Sequence, residues 1–145
     1  MSNDSVLIIA PGGLPVPSVK GGAVKNLIEH LISENQRQKK IKLFVITPFD
    51  EEAKTFAQEK YENIHFEWVN IPKSIDVLDN IVYNLVRQLL KKSKAISFKN
   101  NFKSIYYAYK TALYIQQNDF YKIVIENNVR NFLALKLFKN WKKYK

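Results

Sequence analysis

Two glycine pairs bracket a proline-rich loop near the start of the chain: Gly12-Gly13 follow Pro11, and Gly21-Gly22 open a helical pattern after Leu14-Pro15-Val16-Pro17-Ser18-Val19-Lys20. Glycines directly before a helix let backbone amides approach an anion, because no Cβ intrudes and the helix start offers unpaired N–H donors in a favourable dipole. Phosphate is the natural guest, and Lys20 and Lys25 flank the pair as cations that could neutralise it. A turn that merely needs positive φ would place the same glycines there, and both readings stand. Seven residues separate the pairs, so the dinucleotide fingerprint G-x-G-x-x-G is absent, and no phosphate-loop lysine motif is present. Both facts weigh against an NAD enzyme and a P-loop nucleotide hydrolase.

A second candidate group is Glu126-Asn127, at the end of the apolar run Lys122-Ile123-Val124-Ile125. A carboxylate and an amide there could accept and donate hydrogen bonds to a ligand hydroxyl; capping the last helix or pairing with Arg130 would use Glu126 equally well. His30 and His65 have no partner at metal-ligand or catalytic-triad spacing and are read as structural. The chain has no cysteine, which excludes disulfides and thiolate metal sites and fits a reducing cytoplasm.

These residues are placed by an alternation of strands and helices. Val6–Ala10 is a continuous apolar run stopped by Pro11-Gly12-Gly13, the pattern of a strand buried on both faces. Val24, Leu27, Ile28, Leu31 and Ile32 then recur at helical spacing. Lys42–Thr47 is a second buried strand, and Glu51–Lys60 a short polar helix. Ile64–Ile71 is a more alternating strand with Ile64, Phe66 and Trp68 on one side, as expected nearer a sheet edge. Ile75 to about Ser97 carries apolar residues at i, i+3, i+4 and i+7. Another helix follows a cap at Asn100 or Asn101, with Phe102, Ile105, Tyr106, Tyr109, Ala112 and Leu113 as its stripe. Lys122–Glu126 is the fourth strand, and Val129 to about Trp141 a last helix. The order predicts one α/β domain over residues 1–145, a Rossmann-like open parallel sheet of order 3-2-1-4 flanked by helices, with ligands received beyond the carboxyl ends of its strands.

Charge is unevenly distributed. Of the net +10, residues 99–145 contribute ten Lys/Arg against two acids, and no acid lies between Asp79 and Asp119. Arg87, Lys91, Lys92, Lys94, Lys99 and Lys103 fall in that stretch, interleaved further along with Phe98, Phe102, Tyr106, Tyr107, Tyr109 and Tyr114. Lysines that meet anionic head groups and aromatics that sit at the interface would suit a membrane surface. The alternative is an ordinary solvated basic face with its aromatics packed inward. Nucleic acid fits the charge, but no recognised motif accompanies it. The start of the chain lacks a secretory signal, and Val6–Ala10 is too short to span a membrane.

The loop itself carries a resemblance. Strand one followed by P-G-G-L-P-V-P-S-V-K-G-G-A-V-K-N-L-I-E-H-L, Pro11 to Leu31, resembles the opening of family-4 retaining glycosyltransferases of the GT-B fold, in a form similar to bacterial members linked to cell-surface polysaccharide. Val124-Ile125-Glu126-Asn127-Asn128 is similar to a strand and turn that in such relatives commonly ends in Asn-Arg-Pro; Asn127 matches the Asn, while Asn128-Val129 stands where Arg-Pro would. The resemblance implies that Gly21 and Gly22 lie near a sugar-nucleotide diphosphate and the acceptor; with the residue reading above, Lys20 and Gly13 join that side, and Glu126 and Asn127 are expected on the opposite wall. It implies an N-terminal, acceptor-side domain that shares its nucleotide-sugar donor with a C-terminal domain absent from these 145 residues. The acceptor would be a glycan or a lipid-linked glycan at the inner membrane face, with no cofactor or metal. On this expectation the chain does not transfer sugar alone.

Overall fold

The computed structural model describes residues 5–17, 23–90, 98–126 and 129–136, and for residues 23–25, 130, 131 and 134 the backbone only. Among the described residues four strands and five helices follow in the order β1 (Ser5–Ile9), α1 (Ala23–Gln38), β2 (Lys42–Pro48), α2 (Glu51–Lys60), β3 (Ile64–Val69), α3 (Lys73–Leu89), α4 (Asn101–Gln117), β4 (Lys122–Ile125) and α5 (Val129–Lys136). The strands form one sheet of order β3-β2-β1-β4, parallel throughout, as the alternation requires. Ile8 of β1 lies level with Val45 of β2 and Val124 of β4, so the apolar runs share one layer.

Side chains alternate across the sheet. Ile8, Leu43, Val45 and Ile64 point to the face closed by Ile28 and Ile32 of α1 and Ala57 of α2, with Phe66 and Trp68 packed at its margin. Leu7, Ile9, Ile46 and Val69 point to the other face, closed by Tyr107, Ala108, Ala112 and Ile115 of α4 and by Leu135 of α5. Ile64, Phe66 and Trp68 therefore share one side of β3, and β3 is an edge strand, as its alternation predicts.

Three features differ from the sequence reading. Helix α3 closes at Leu89, where the backbone turns extended at Leu90, and the expected continuation over 91–97 lies outside the described residues. The α4 stripe is rotated: Tyr107, Ala108, Thr111, Ala112 and Ile115 are buried, while Phe102, Ile105 and Tyr109 are exposed. Small residues at 108, 111 and 112 let the helix axis approach the sheet, which bulkier neighbours would hold off. Asn100 precedes α4 in a left-handed conformation (φ 62°) and makes no side-chain cap. The cap comes instead from a distant residue, the Asp79 carboxylate of α3, which accepts from the backbone N–H of Phe102 at 2.9 Å and of Lys103 at 3.0 Å.

Candidate functional site

The loop leaving β1 is tied down within a few residues. Ala10 donates its backbone N–H to the Ile46 carbonyl at 3.0 Å, and the Val16 N–H donates to Thr47 Oγ1 at 2.8 Å. Val16 and Thr47 are both fully buried. Between these anchors Gly12 is half-buried, and Gly13 and Leu14 are exposed in a turn that follows β1. Beneath them the Tyr107 hydroxyl lies 3.0 Å from the Ala10 carbonyl oxygen and 2.9 Å from that of Ile46, where it donates. Burial of this phenol pushes its pKa above the ordinary tyrosine value, so it stays a neutral donor that pins α4 to β1 and β2.

A cleft of about 440 Å³ opens on this edge. Gly12, Gly13, Leu14 and Pro15 form one wall; Pro48, Phe49 and Asp50 extend from β2; Val69, Asn70 and Ile71 extend from β3; and Asp76, Asn100, Lys103 and Ser104 close it from α3 and α4. The cleft therefore sits where open parallel sheets receive ligands. A second groove of about 560 Å³ runs between β3 and α4, lined in part by Glu67, Trp68, Tyr106, Lys110 and Tyr114, and shares Val69 and Asn70 with the first. Burial, with the Glu67 carboxylate nearby, pushes the Tyr114 phenol upward.

The electrostatics of the main cleft follow from what already occupies its helix ends. Asp50 caps α2, accepting from the Ala53 N–H at 3.1 Å, and Asp79 caps α4. Both caps place a carboxylate at the positive end of a helix dipole, which leaves those ends poor hosts for a second anion. Lys103 Nζ pairs with Asp76 Oδ1 at 2.5 Å. The groups presented to a ligand are thus carboxylates, the amides of Asn70 and Asn100, the Ser104 hydroxyl and a lysine already paired. Such a lining matches a hydroxyl-rich ligand better than a free phosphate.

The sequence-predicted site residues divide accordingly. Gly13 lines the cleft, and Lys103, grouped in the sequence with the surface cations, turns into it. Glu126 extends β4 by donating its backbone N–H to the Ile9 carbonyl at 3.2 Å; it lies at the carboxyl edge but does not line the cleft. Lys20, Gly21, Gly22, Asn127, Lys91, Lys92 and Lys94 lie outside the described residues. Arg87 and Lys99 are exposed, and so are His30 and His65, the latter stacked on Phe44 at 4.8 Å between ring centroids. Asp50, Asn70, Asp76 and Asp79 were not singled out from the sequence. Asp50 carried a readable signal, an Asp before Glu51-Glu52 after a strand, whereas the Asp79 cap joins residues more than twenty positions apart and has no local signature. Among the described residues no three His, Asp or Glu side chains are grouped to hold a metal, and no helix is long and apolar enough to cross a membrane. No family model, no curated protein and no solved structure matches the chain.

Proposed function

We propose that this chain is the acceptor-binding part of a glycosyltransferase that moves a sugar from a nucleotide-sugar donor to a cell-surface glycan or lipid-linked acceptor, with most donor contacts supplied by a second domain. The observation that carries this reading is the cleft at the carboxyl ends of β1, β2 and β3, whose amides, hydroxyl and carboxylates are suited to sugar hydroxyls and whose two capped helix ends disfavour a diphosphate. The glycine-rich stretch Pro11 to Gly22, with its family resemblance, supports the transferase class. In this reading Asp76 and Lys103 hold each other in place and offer an acceptor and a donor to one sugar ring, while Asn70, Asn100 and Ser104 fix its orientation. Amide donors at a glycine pair are the kind of group that stabilises charge developing on a leaving diphosphate, the role the resemblance gives Gly21 and Gly22.

Saturation-transfer NMR on the purified chain tests it, with short neutral oligosaccharides set against a nucleoside diphosphate. Oligosaccharide binding is expected, with amide shifts at Gly13, Asn70 and Ser104 and weakening by Lys103→Ala. Nucleotide-sugar consumption is expected only after a donor-binding domain is added. Diphosphate binding at those amides with no response to any oligosaccharide would overturn the reading; glycan binding with no transfer in the presence of donor domains would leave a recruiting module in its place.

A further inference from the structure

Helix α3 turns a stripe of large apolar side chains to solvent. Leu78, Ile81, Leu85 and Leu89 recur at three- and four-residue spacing along one side and are 48%, 49%, 54% and 83% exposed. The same periodicity puts Asn80, Asn84 and Arg87 on the other side of the helix, so the stripe is a distinct face. At 1.5 Å per residue it is about 16 Å long. In sequence the helix is followed by Lys91, Lys92 and Lys94, with no acidic residue before Asp119.

We propose that α3 is a membrane-docking helix that lies in the plane of an anionic lipid bilayer, with Leu78, Ile81, Leu85 and Leu89 in the acyl boundary. An exposed apolar stripe with Asn80, Asn84 and Arg87 on the other side of the helix is the physical form of an interfacial helix. Charge selects the occupant. The chain carries a net +10, so a second copy on this face would bring like charges together, whereas an anionic leaflet attracts the chain. The cleft reading is independent of this one, since none of the four stripe residues lines the cleft.

Co-sedimentation of the full chain with vesicles decides the matter, using phosphatidylcholine alone and phosphatidylcholine mixed with phosphatidylglycerol, at low and high salt. The chain is expected to sediment with the phosphatidylglycerol vesicles, to remain in solution with the others, and to lose partitioning as salt rises. Ile81→Glu and Leu85→Glu are each expected to lower partitioning by roughly tenfold or more, with an unchanged circular dichroism spectrum because both positions are exposed. No sedimentation with either vesicle overturns the proposal. Sedimentation that both substitutions leave intact overturns it too, because charge alone would then account for binding. A concentration-dependent dimer in sedimentation velocity that the same substitutions abolish, with no vesicle binding, would assign the stripe to a second copy instead.

Discussion

Helices α3 and α4 are each seventeen residues long and both follow β3 in the chain, yet they relate to the sheet in opposite ways. Helix α4 buries Tyr107, Ala108, Thr111, Ala112 and Ile115, whereas α3 buries one residue, the carboxylate-bearing Asp79. The apolar rhythm is the more regular on α3, yet its Leu78, Ile81, Leu85 and Leu89 stay exposed. Periodicity fixes that a helix has two sides; it does not fix what each side meets. Contact with the sheet is decided by size. Ala108, Thr111 and Ala112 let α4 settle close enough for the Tyr107 hydroxyl to reach two strand carbonyls, while α3 holds to the fold through a carboxylate at the start of its neighbour.

The largest effect expected from this difference is at Tyr107. Tyr107→Ala removes a fully buried ring and its hydrogen bonds and should cost about 3–5 kcal/mol in urea unfolding. Tyr107→Phe keeps the ring and leaves the Ala10 carbonyl short of a donor, at a cost of about 1–2 kcal/mol. Equal costs for the two substitutions would show that the hydroxyl, not the packing, holds α4 on the sheet.

The tie between the helices comes next. Asp79→Ala leaves the Phe102 and Lys103 N–H groups without their acceptor and should cost about 2 kcal/mol. Loss of hydrogen-exchange protection is expected to concentrate at the start of α4, beside the cleft residues Asn100 and Ser104, and to spare Ile115 and the sheet. Uniform loss across the sheet would mean that α3 is integral to the core, which would erase the contrast between the two helices.

The strands were legible because each is a short apolar run closed by Pro, Gly or a polar turn, and a parallel sheet buried on both faces leaves few other readings for Val6–Ala10 or Lys42–Thr47. Their order followed from handedness and short connections. The carboxyl edge was legible as the side on which a cleft lined in part by Gly13 opens. The cleft lining was not, because Asp76, Asn100 and Lys103 converge through the packing of α3 against α4, and no local spacing announces a contact across 27 residues. The misread face of α4 has the same origin. Phe102, Ile105 and Tyr109 are as apolar as a core stripe, and only the close approach permitted by small neighbours decides that the opposite side is buried.

The smallest expected effect is the sharpest test of the contrast. Ile115 on α4 is 8% exposed and Leu85 on α3 is 54% exposed, although both sit in the C-terminal half of a seventeen-residue helix. Ile115→Ala removes methyl groups from a packed interior and should cost about 2–4 kcal/mol. Leu85→Ala removes a similar volume from a surface that solvent already reaches, so its effect should stay within about 0.5 kcal/mol. Urea unfolding of the two variants side by side measures the difference directly. A loss at Leu85 approaching that at Ile115 would mean that the α3 stripe is packed in solution, either on this chain or on another copy, and protein concentration separates those two cases: a midpoint that rises with concentration belongs to a partner copy, and one that does not belongs to the fold itself.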